Sequence, residues 1–455
     1  MVHSPRKYRT EYRELGKLGF PILITQIGII AVNFADTIMV GQYGTRELAS
    51  AGFVNNLFLV SIVALVGFAA GMTPIVGAYF GRKDPGSAGE AWKKGLLLNL
   101  AVSAAVTALM GGLFFLLPRM NQPPELMSLI EPYYLLILST VIPGAIFGCC
   151  QQTSNGLTDT AMPMWIMIGG NLVNVGGNYL LIFGKFGFPE LGLIGAGIAT
   201  VTARYLMAGA ILWVMLTRKR FSAVKAGMSQ RHHGDMTKRV WVTSYPIMIQ
   251  HGVECSLWSV GAVVCGWFGQ FQLASYQIVN TIGQLGFMVY LSATIAVSIR
   301  VANHTGASDF SGVRNTAGAG MHIVLVLATL TSAILLIFGK DLMRVFTGDI
   351  EVIAAGLPLF LPLVLYQFCD AIQLNFGNAL RGTSDVKPLL VVSMVSYLGI
   401  GIPAMYLLGV GADMGNVGVY YSFCAALLSA SALLYYYFRR AVNKLERGSR
   451  DVNNF

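Results

Sequence analysis

The sequence alternates between long apolar runs and short polar segments. Twelve runs each hold enough apolar residues to form a transmembrane helix, because a helix needs about 20 of them to cross a bilayer. The predicted spans cover 18–40, 50–80, 95–117, 130–152, 164–184, 191–216, 241–266, 275–300, 316–338, 352–376, 388–409 and 416–438. The pattern therefore predicts an all-α integral membrane protein with twelve transmembrane helices.

The composition supports this class and argues against several others. Charged residues make up 11% of the chain and hydrophobic residues 55%, whereas about a quarter of a typical soluble domain is charged. The net charge of +10 does not indicate a nucleic-acid partner, because the basic residues lie between the apolar runs and form no patch. The six cysteines lie within apolar runs without metal-ligand spacing and are interpreted as packing residues.

The distribution of lysine and arginine predicts the orientation of the chain. With twelve spans threaded in order, 25 of the 31 basic residues fall on the side that holds both termini, and five fall on the other. Basic residues close to membrane helices favour the cytoplasmic side. We therefore expect both termini and the segment after the sixth span to be cytoplasmic.

The sequence also repeats itself at a shift of 225 residues. Pro21 then matches Pro246 and Asp84 matches Asp309, along with several glycine, leucine and asparagine positions. Such a repeat is typical of transporters built from two halves that rock about a central site. The repeat predicts two pseudo-symmetric six-helix lobes, at 1–217 and 240–438, with a cytoplasmic linker at 218–239 and a cytoplasmic tail at 439–455.

Four ionisable residues lie well inside the predicted spans. They are Asp36, Arg204, Glu254 and Asp370. A charged group near the bilayer centre costs about 2.5 to 3.5 kcal/mol on insertion scales, so such residues normally face an internal cavity and serve a function. We interpret the three carboxylates as candidate cation-coupling residues, and for Arg204 we favour a structural role over a substrate contact.

Polar side chains at helical spacing accompany these carboxylates. The neighbours are Asn33 for Asp36, His251 for Glu254, and Tyr366 and Gln373 for Asp370, while Asn171, Asn174 and Asn178 share one face of the fifth span. Carboxylate and amide oxygens suit a hard cation such as Na⁺, and a carboxylate alone can exchange a proton. The alternative for the asparagines is that they only join helices by hydrogen bonds.

Two prolines occupy matching positions near the starts of the first and seventh spans. Pro21 and Pro246 each precede an acidic position. A proline inside a helix removes a backbone hydrogen bond and bends the axis. These residues either bend the helix that carries the carboxylate or are ordinary prolines of a first helical turn.

Several segments resemble the NorM branch of the multidrug and toxic compound extrusion (MATE) family. The similarity runs from residue 15 to about residue 437 and is carried by 32–41, Tyr245-Pro246 with Glu254 downstream, 296–301, 366–382 and 174–200. It implies a V-shaped pair of six-helix bundles that exports diverse, often cationic aromatic compounds in exchange for Na⁺ or H⁺. It also implies a bacterial cytoplasmic membrane location, and we expect a monomer surrounded by membrane lipid, without a cofactor.

The resemblance also implies roles for individual residues. Glu254 and Asp370 match acidic residues of the C-terminal lobe that are tied to cation coupling. The family's N-lobe cluster, which binds the cation or responds to protonation, is matched by Asp36, Asn174, Asn178 and Thr200. The related DinF-like branch usually has an aspartate at the position of Asn178, which favours the NorM branch and Na⁺ coupling.

Two other functions are weighed against transport of drugs. A lipid-linked sugar flippase of related architecture would need several basic residues in its cleft, and only Arg204 lies at depth. An intramembrane enzyme would use His251 and Glu254 as a catalytic pair, yet the sequence has no Gly-x-Ser-x-Gly turn and no His-Glu-x-x-His pair. It also lacks a glycine-rich phosphate-binding loop, so we expect neither catalysis nor ATP coupling.

Overall fold

Long α-helices make up the protein. The computed structural model describes residues 8–120, 122–229 and 235–453, and over these residues it contains no strand. Residues 1–7 of the predicted first lobe, 121, 230–234 of the predicted linker and 454–455 of the predicted tail lie outside the described residues. The first nine helices are α1 Arg9–Tyr43, α2 Thr45–Ala70, α3 Met72–Gly81, α4 Pro85–Phe114, α5 Pro124–Ser139, α6 Val141–Gly156, α7 Ala161–Ile182, α8 Gly192–Thr217 and the short α9 Ser222–Gly227.

The second half of the described chain is also helical. Its helices are α10 Met236–Trp267, α11 Gln270–Gly306, α12 Phe310–Phe346, α13 Ile350–Gly356, α14 Phe360–Gly382, α15 Lys387–Ser393, α16 Ile402–Tyr406 and α17 Gly415–Asn453. Two π-helical segments, Met394–Gly401 and Leu407–Gly411, lie on either side of α16. Together with these segments, α15 and α16 form one nearly continuous helix.

Eleven helical segments of the described chain are long and apolar enough to cross a membrane. Some of them join two helices, such as α2 with α3 across Gly71 and α5 with α6 across Thr140. The predicted span 164–184 corresponds to α7, which has 22 residues but is not among the eleven. Its three asparagines and four glycines lower its mean hydropathy. The chain is thus a multi-pass membrane protein, and the twelfth span stays a prediction.

The helices that carry the two matched prolines start earlier than the apolar runs. α1 begins at Arg9 and α10 at Met236, so Pro21 and Pro246 lie about three turns inside their helices. The interpretation of these residues as first-turn prolines therefore does not apply. The helices start earlier than predicted because their first turns are polar, and an apolar run marks only the part of a helix that contacts lipid.

The described chain folds as two compact units. The N-terminal unit is Ile24–Met248, and the C-terminal unit combines Met1–Leu23 with Ile249–Phe455. Both boundaries fall inside a helix, one in α1 and one in α10, just beyond Pro21 and Pro246. The predicted lobes, in contrast, place all of α1 in the first lobe and all of α10 except its first four residues in the second.

Two apolar clusters form the core of the N-terminal unit. One surrounds Trp92, which is fully buried, and includes Val240 from the start of α10. The other surrounds Phe58 and Tyr134, whose ring centroids are 4.9 Å apart. Arg239 also donates to the Tyr79 hydroxyl at 2.8 Å. These contacts explain why the first turns of α10 belong to the N-terminal unit.

A buried polar cluster holds the first turns of α1 in the C-terminal unit. The Glu11 carboxylate accepts hydrogen bonds from Arg300 at 2.9 Å and from the Thr316 hydroxyl at 2.8 Å. His304 Nε2 lies 3.3 Å from Glu11, and its Nδ1 lies 2.9 Å from Asp309. Removing one member of such a buried ionic network leaves an uncompensated charge, so the cluster ties α1 firmly to α11 and α12.

The same turn geometry recurs in the two halves of the sequence. Lys83 and Ser308 adopt left-handed φ values of 58° and 57°. The next residues, Asp84 and Asp309, cap the following helices by accepting backbone hydrogen bonds of 3.0 Å and 2.8 Å. These positions are related by the shift of 225 residues, so the internal repeat extends to backbone conformation.

Candidate functional site

Asp36 of α1 belongs to a polar cluster in the N-terminal unit. Its carboxylate accepts a hydrogen bond from the side-chain amide of Asn178 on α7. The same amide nitrogen lies 3.5 Å from Asn174 Oδ1, and Asn174 donates to the Thr200 hydroxyl on α8 at 3.1 Å. Three helices therefore bring one carboxylate, two amides and one hydroxyl together.

Burial and hydrogen bonding single out one atom of this cluster. Asn174 and Asn178 are buried, whereas Asp36 and Thr200 are half-buried. Asn178 Oδ1 is buried and has no hydrogen-bond partner among the described residues. A buried carbonyl oxygen without a partner costs free energy, so such an atom calls for an explanation. Beside a carboxylate, it has the chemistry of a ligand for a hard cation.

Three further polar residues of the N-terminal unit that the sequence singled out lie outside this cluster. Arg204 of α8 is exposed and interacts electrostatically with Asp36. Asn33 is exposed on α1. Asn171 packs against α1, where its amide nitrogen would lie only 2.9 Å from a methyl group placed on Gly28. The arginine thus lies near enough to influence the carboxylate, and Asn171 acts at a helix contact.

Asp370 of α14 is the most buried of the three candidate coupling carboxylates, with 1% of its surface exposed. The Tyr290 hydroxyl on α11 donates to its Oδ2 atom at 2.9 Å, and the Tyr366 hydroxyl does so at 3.4 Å. One turn later, Gln373 donates to the Tyr397 hydroxyl at 3.0 Å. Gln373 Oε1 is buried without a hydrogen-bond partner in the described part of the chain.

Glu254 of α10 is half-buried and interacts electrostatically with Asp370 and with Arg381. One turn before Glu254, His251 Nε2 lies 3.5 Å from a guanidinium nitrogen of Arg381. Two ionised carboxylates and one guanidinium carry a net negative charge. A bound cation or a proton would neutralise part of that charge. The free energy of burying the carboxylates would then be lower than in an empty site.

Tyr290 and Arg381 are site residues that sequence reasoning misses. Tyr290 is one of nineteen tyrosines, and its partner Asp370 lies 80 residues further along the chain. Arg381 follows the end of a predicted span and counts as a cytoplasmic basic residue. In the structure α14 continues to Gly382, which brings the guanidinium group to His251. The only sequence signal for Arg381 is its place in the segment 366–382 that carries the family resemblance.

The clusters differ from a site for a tightly held transition metal. No group of three or more His, Cys, Asp or Glu side chains within the described ranges is arranged to hold a metal ion. Asp36 belongs to the N-terminal unit, and Glu254 and Asp370 belong to the C-terminal unit. Each cluster can therefore offer a cation one or two carboxylates supplemented by neutral oxygens.

Comparison with known proteins relates the whole chain to one family. The family model described as MatE matches residues 21–180 and 246–407. The chain is 29% identical over 435 residues to multidrug resistance protein NorM of Photobacterium profundum, covering 94% of this chain and 95% of that protein. It is also 29% identical over 414 residues to multidrug resistance protein PmpM of Pseudomonas aeruginosa, covering 89% and 85%. A solved outward-facing conformation of a multidrug resistance MATE family transporter has a TM-score of 0.86 at 16% identity, covering 96% of this chain and 97% of that chain, so the fold is shared.

Proposed function

The chain belongs to the MatE family, and from this premise we propose that it is a multidrug efflux transporter that exchanges a cation for its substrates. Its relatives are named multidrug resistance proteins and match it over nearly their whole length. The substrates are diverse, often cationic aromatic compounds, and the membrane is the bacterial cytoplasmic membrane. Both termini face the cytoplasm, where most of the basic residues lie.

An ion gradient is a sufficient source of energy for this function. One elementary charge that crosses a potential of about 100 mV supplies about 2.3 kcal/mol. A tenfold substrate gradient costs about 1.4 kcal/mol, so one cation per neutral substrate can support more than a tenfold gradient. Exchange of one cation for one monovalent cationic substrate moves no net charge, so the concentration gradient of the coupling ion or a second cation must then supply the energy. ATP is not required.

The observation that carries the proposal is the unpartnered Asn178 Oδ1 atom beside the Asp36 carboxylate. A cation bound between these two oxygens would give the amide the partner that the described residues do not supply. The neighbouring amide of Asn174 and the hydroxyl of Thr200 would complete an oxygen-rich shell after small side-chain rotations. Binding of the cation would thus replace the hydrogen bond from Asn178 to Asp36 and change how α1 is held by α7.

The cluster around Asp370 supplies the second ionisable centre. Its carboxylate is held by two phenol hydroxyls, and Glu254 adds a second negative charge nearby. The aromatic side chain of Trp258 packs against Tyr366 with ring centroids 5.3 Å apart. A carboxylate pair next to aromatic rings suits a cationic aromatic substrate as well as a coupling cation, because the two would compete for the same charge.

Sodium is the coupling ion that these contacts favour. Proton exchange needs only a carboxylate, whereas Na⁺ needs several oxygen ligands. Both clusters contain a buried amide oxygen without a hydrogen-bond partner among the described residues, Asn178 Oδ1 and Gln373 Oε1. A protonated Asp36 would also be able to donate a hydrogen bond to Asn178 Oδ1, so the preference for Na⁺ rests on the number of neighbouring oxygen atoms rather than on this atom alone.

Transport by the purified protein in proteoliposomes tests this function. An inward Na⁺ gradient at clamped pH and voltage should accelerate export of a fluorescent aromatic cation, while a K⁺ gradient of equal size should not. Export that follows only a pH gradient and ignores Na⁺ would assign the carboxylates to proton exchange and contradict the sodium proposal. Neither the flippase nor the enzyme alternative gains support from the described clusters or from the relatives.

A further inference from the structure

A groove of about 660 Å³ lies on the C-terminal unit, between α12, α14 and α17. None of its lining residues belongs to either carboxylate cluster, although Phe376 follows Asp370 by six residues on α14. Its lining combines basic and polar side chains with apolar ones, among them Arg314, His322, Arg439, Asn443, Phe376 and Phe438. No carboxylate is among the described residues that line it. Glu446 pairs with Arg314 beside the groove, so the lining is amphipathic and its net positive charge comes mainly from Arg439.

The groove lies at the level where three predicted spans meet the membrane surface. The span in α12 starts at 316, the span in α14 ends at 376, and the span in α17 ends at 438. Arg314 and Arg439 fall just outside these limits, and Phe376 and Phe438 fall just inside. Because basic residues predict this side to be cytoplasmic, the groove faces the cytoplasmic leaflet.

Contacts within the protein position the two arginines without burying them. Arg314 donates to Asn443 Oδ1 at 3.2 Å and also pairs with Glu446, yet 47% of its side chain remains exposed. The Arg439 guanidinium lies 5.7 Å from the centroid of the Tyr435 ring and is exposed. An arginine held in this way presents a planar fork of N–H donors, which matches the oxygens of a phosphate group.

A basic stripe continues from the groove along α17. Arg440, Lys444 and Arg447 are spaced by four and three residues, so they share one face of the helix. They line an adjoining groove of about 920 Å³ together with Tyr435 and Tyr436. Tyrosine side chains are enriched at the interface between membrane and water. The stripe extends the positive surface along the plane of the headgroups.

We propose that the groove binds an anionic phospholipid of the cytoplasmic leaflet. Its phosphate is held by Arg314 and Arg439, and an acyl chain lies along Phe376 and Phe438. A soluble anion would leave the apolar half of the groove unused. A zwitterionic lipid would place its own cation against the two arginines and the basic stripe, so the charge of the groove selects the anionic class.

Native mass spectrometry of the full-length protein in mixed micelles tests this proposal. With equal amounts of phosphatidylglycerol and phosphatidylcholine of the same chain length, the wild type should retain mainly phosphatidylglycerol. Arg439→Gln should lower the ratio of bound phosphatidylglycerol to phosphatidylcholine about fivefold, and Arg314→Gln with Arg439→Gln should lower it further. Lys340→Gln, at the opposite end of α12, removes an equal charge and should change the ratio by less than about twofold.

Three results would overturn the proposal. They are a wild-type ratio close to unity, an unchanged ratio in the Arg439→Gln variant, and displacement of phosphatidylglycerol by millimolar inorganic phosphate, which would indicate a site for soluble anions. Because Arg314 joins α12 to α17, the double variant is compared with Arg314→Lys combined with Arg439→Lys. This charge-retaining variant should keep more of the lipid preference than the double glutamine variant and less than the wild type, because lysine keeps the charge and loses the planar fork. If the double glutamine variant does not fold, the single Arg439→Gln variant decides the question.

Discussion

The Asp36 carboxylate and the Asn178 amide are the two side chains on which sodium binding in the N-terminal unit depends. Asp36→Asn preserves the size of the side chain and removes its charge, so export driven by Na⁺ should fall about tenfold or more. The measurement is the initial rate of dye export in proteoliposomes under a fixed Na⁺ gradient. Asp341→Asn removes an exposed carboxylate and should leave the rate unchanged. An Asp36→Asn variant with a normal response to Na⁺ would remove this cluster from the coupling mechanism.

Asp370 and Glu254 are expected to be indispensable in the C-terminal unit. Asp370→Asn and Glu254→Gln should each abolish coupled export while the protein is still made and inserted normally, because the neutral isosteres keep the packing. Efflux by whole cells and membrane content by immunoblot provide the measurements. Full export by both variants would exclude this cluster.

Tyr290 tests whether the hydroxyl donors around Asp370 matter in addition to the charge. Tyr290→Phe removes a donor to a buried carboxylate, an interaction of about 1.5 to 3 kcal/mol, so export should fall by about tenfold or more. Tyr276→Phe is the matched control, since its hydroxyl donates to a backbone carbonyl of the same unit at 3.0 Å. Equal losses in the two variants would indicate a general effect of losing a buried hydroxyl.

The sequence predicts the surroundings of some residues inside the spans better than those of others. A carboxylate in an apolar run is conspicuous because burying it is costly, and this is how Asp36, Glu254 and Asp370 stand out. Their partners are less conspicuous, because tyrosine is common near membranes and a pair such as Tyr290 and Asp370 is 80 residues apart. Helical spacing reveals neighbours on the same helix, but contacts between helices require the fold.

At the scale of helices, the prolines of α1 and α10 give the most specific prediction. Pro21→Ala and Pro246→Ala would each restore a backbone hydrogen bond and favour a straight helix by about 3 kcal/mol. We expect slower export with unchanged dye affinity, measured by turnover in proteoliposomes and by binding to the purified protein. Pro85→Ala, in the first turn of α4, should affect neither quantity. Equal losses of turnover and affinity would instead place the prolines in the binding site.

Most helices could be predicted from the sequence, because lipid requires about 20 apolar residues for each crossing. Their ends were less predictable. The polar first turns of α1 and α10 and the last turns of α17 extend beyond the apolar runs, because there the helix packs against protein or reaches the aqueous phase. The boundary between units inside α1 depends on Glu11 and its distant partners, which no local pattern reveals.

For the whole molecule, the charge distribution predicts the direction in which every helix crosses the membrane. A cysteine introduced at Lys219 should resist an impermeant maleimide added to intact cells, and one at Lys185 should be labelled. Both positions are exposed, whereas three native cysteines are buried and three, Cys255, Cys369 and Cys424, are half-buried, so the unsubstituted protein serves as the control for background labelling. Labelling of the Lys219→Cys variant from outside would contradict the predicted orientation. It would also assign the phospholipid groove to the other leaflet.

The division of α1 between two units has a consequence for synthesis. Glu11 leaves the ribosome 305 residues before Thr316, and at about 5 to 20 residues per second this interval lasts about 15 to 60 s. During that time the first turns of α1 lack the helices against which they pack. The N-terminal unit likewise stays incomplete until the start of α10 has been made. A gene divided in the segment between α9 and α10 would therefore encode two fragments, neither of which contains a whole unit. Such fragments should accumulate only when both are made in the same cell.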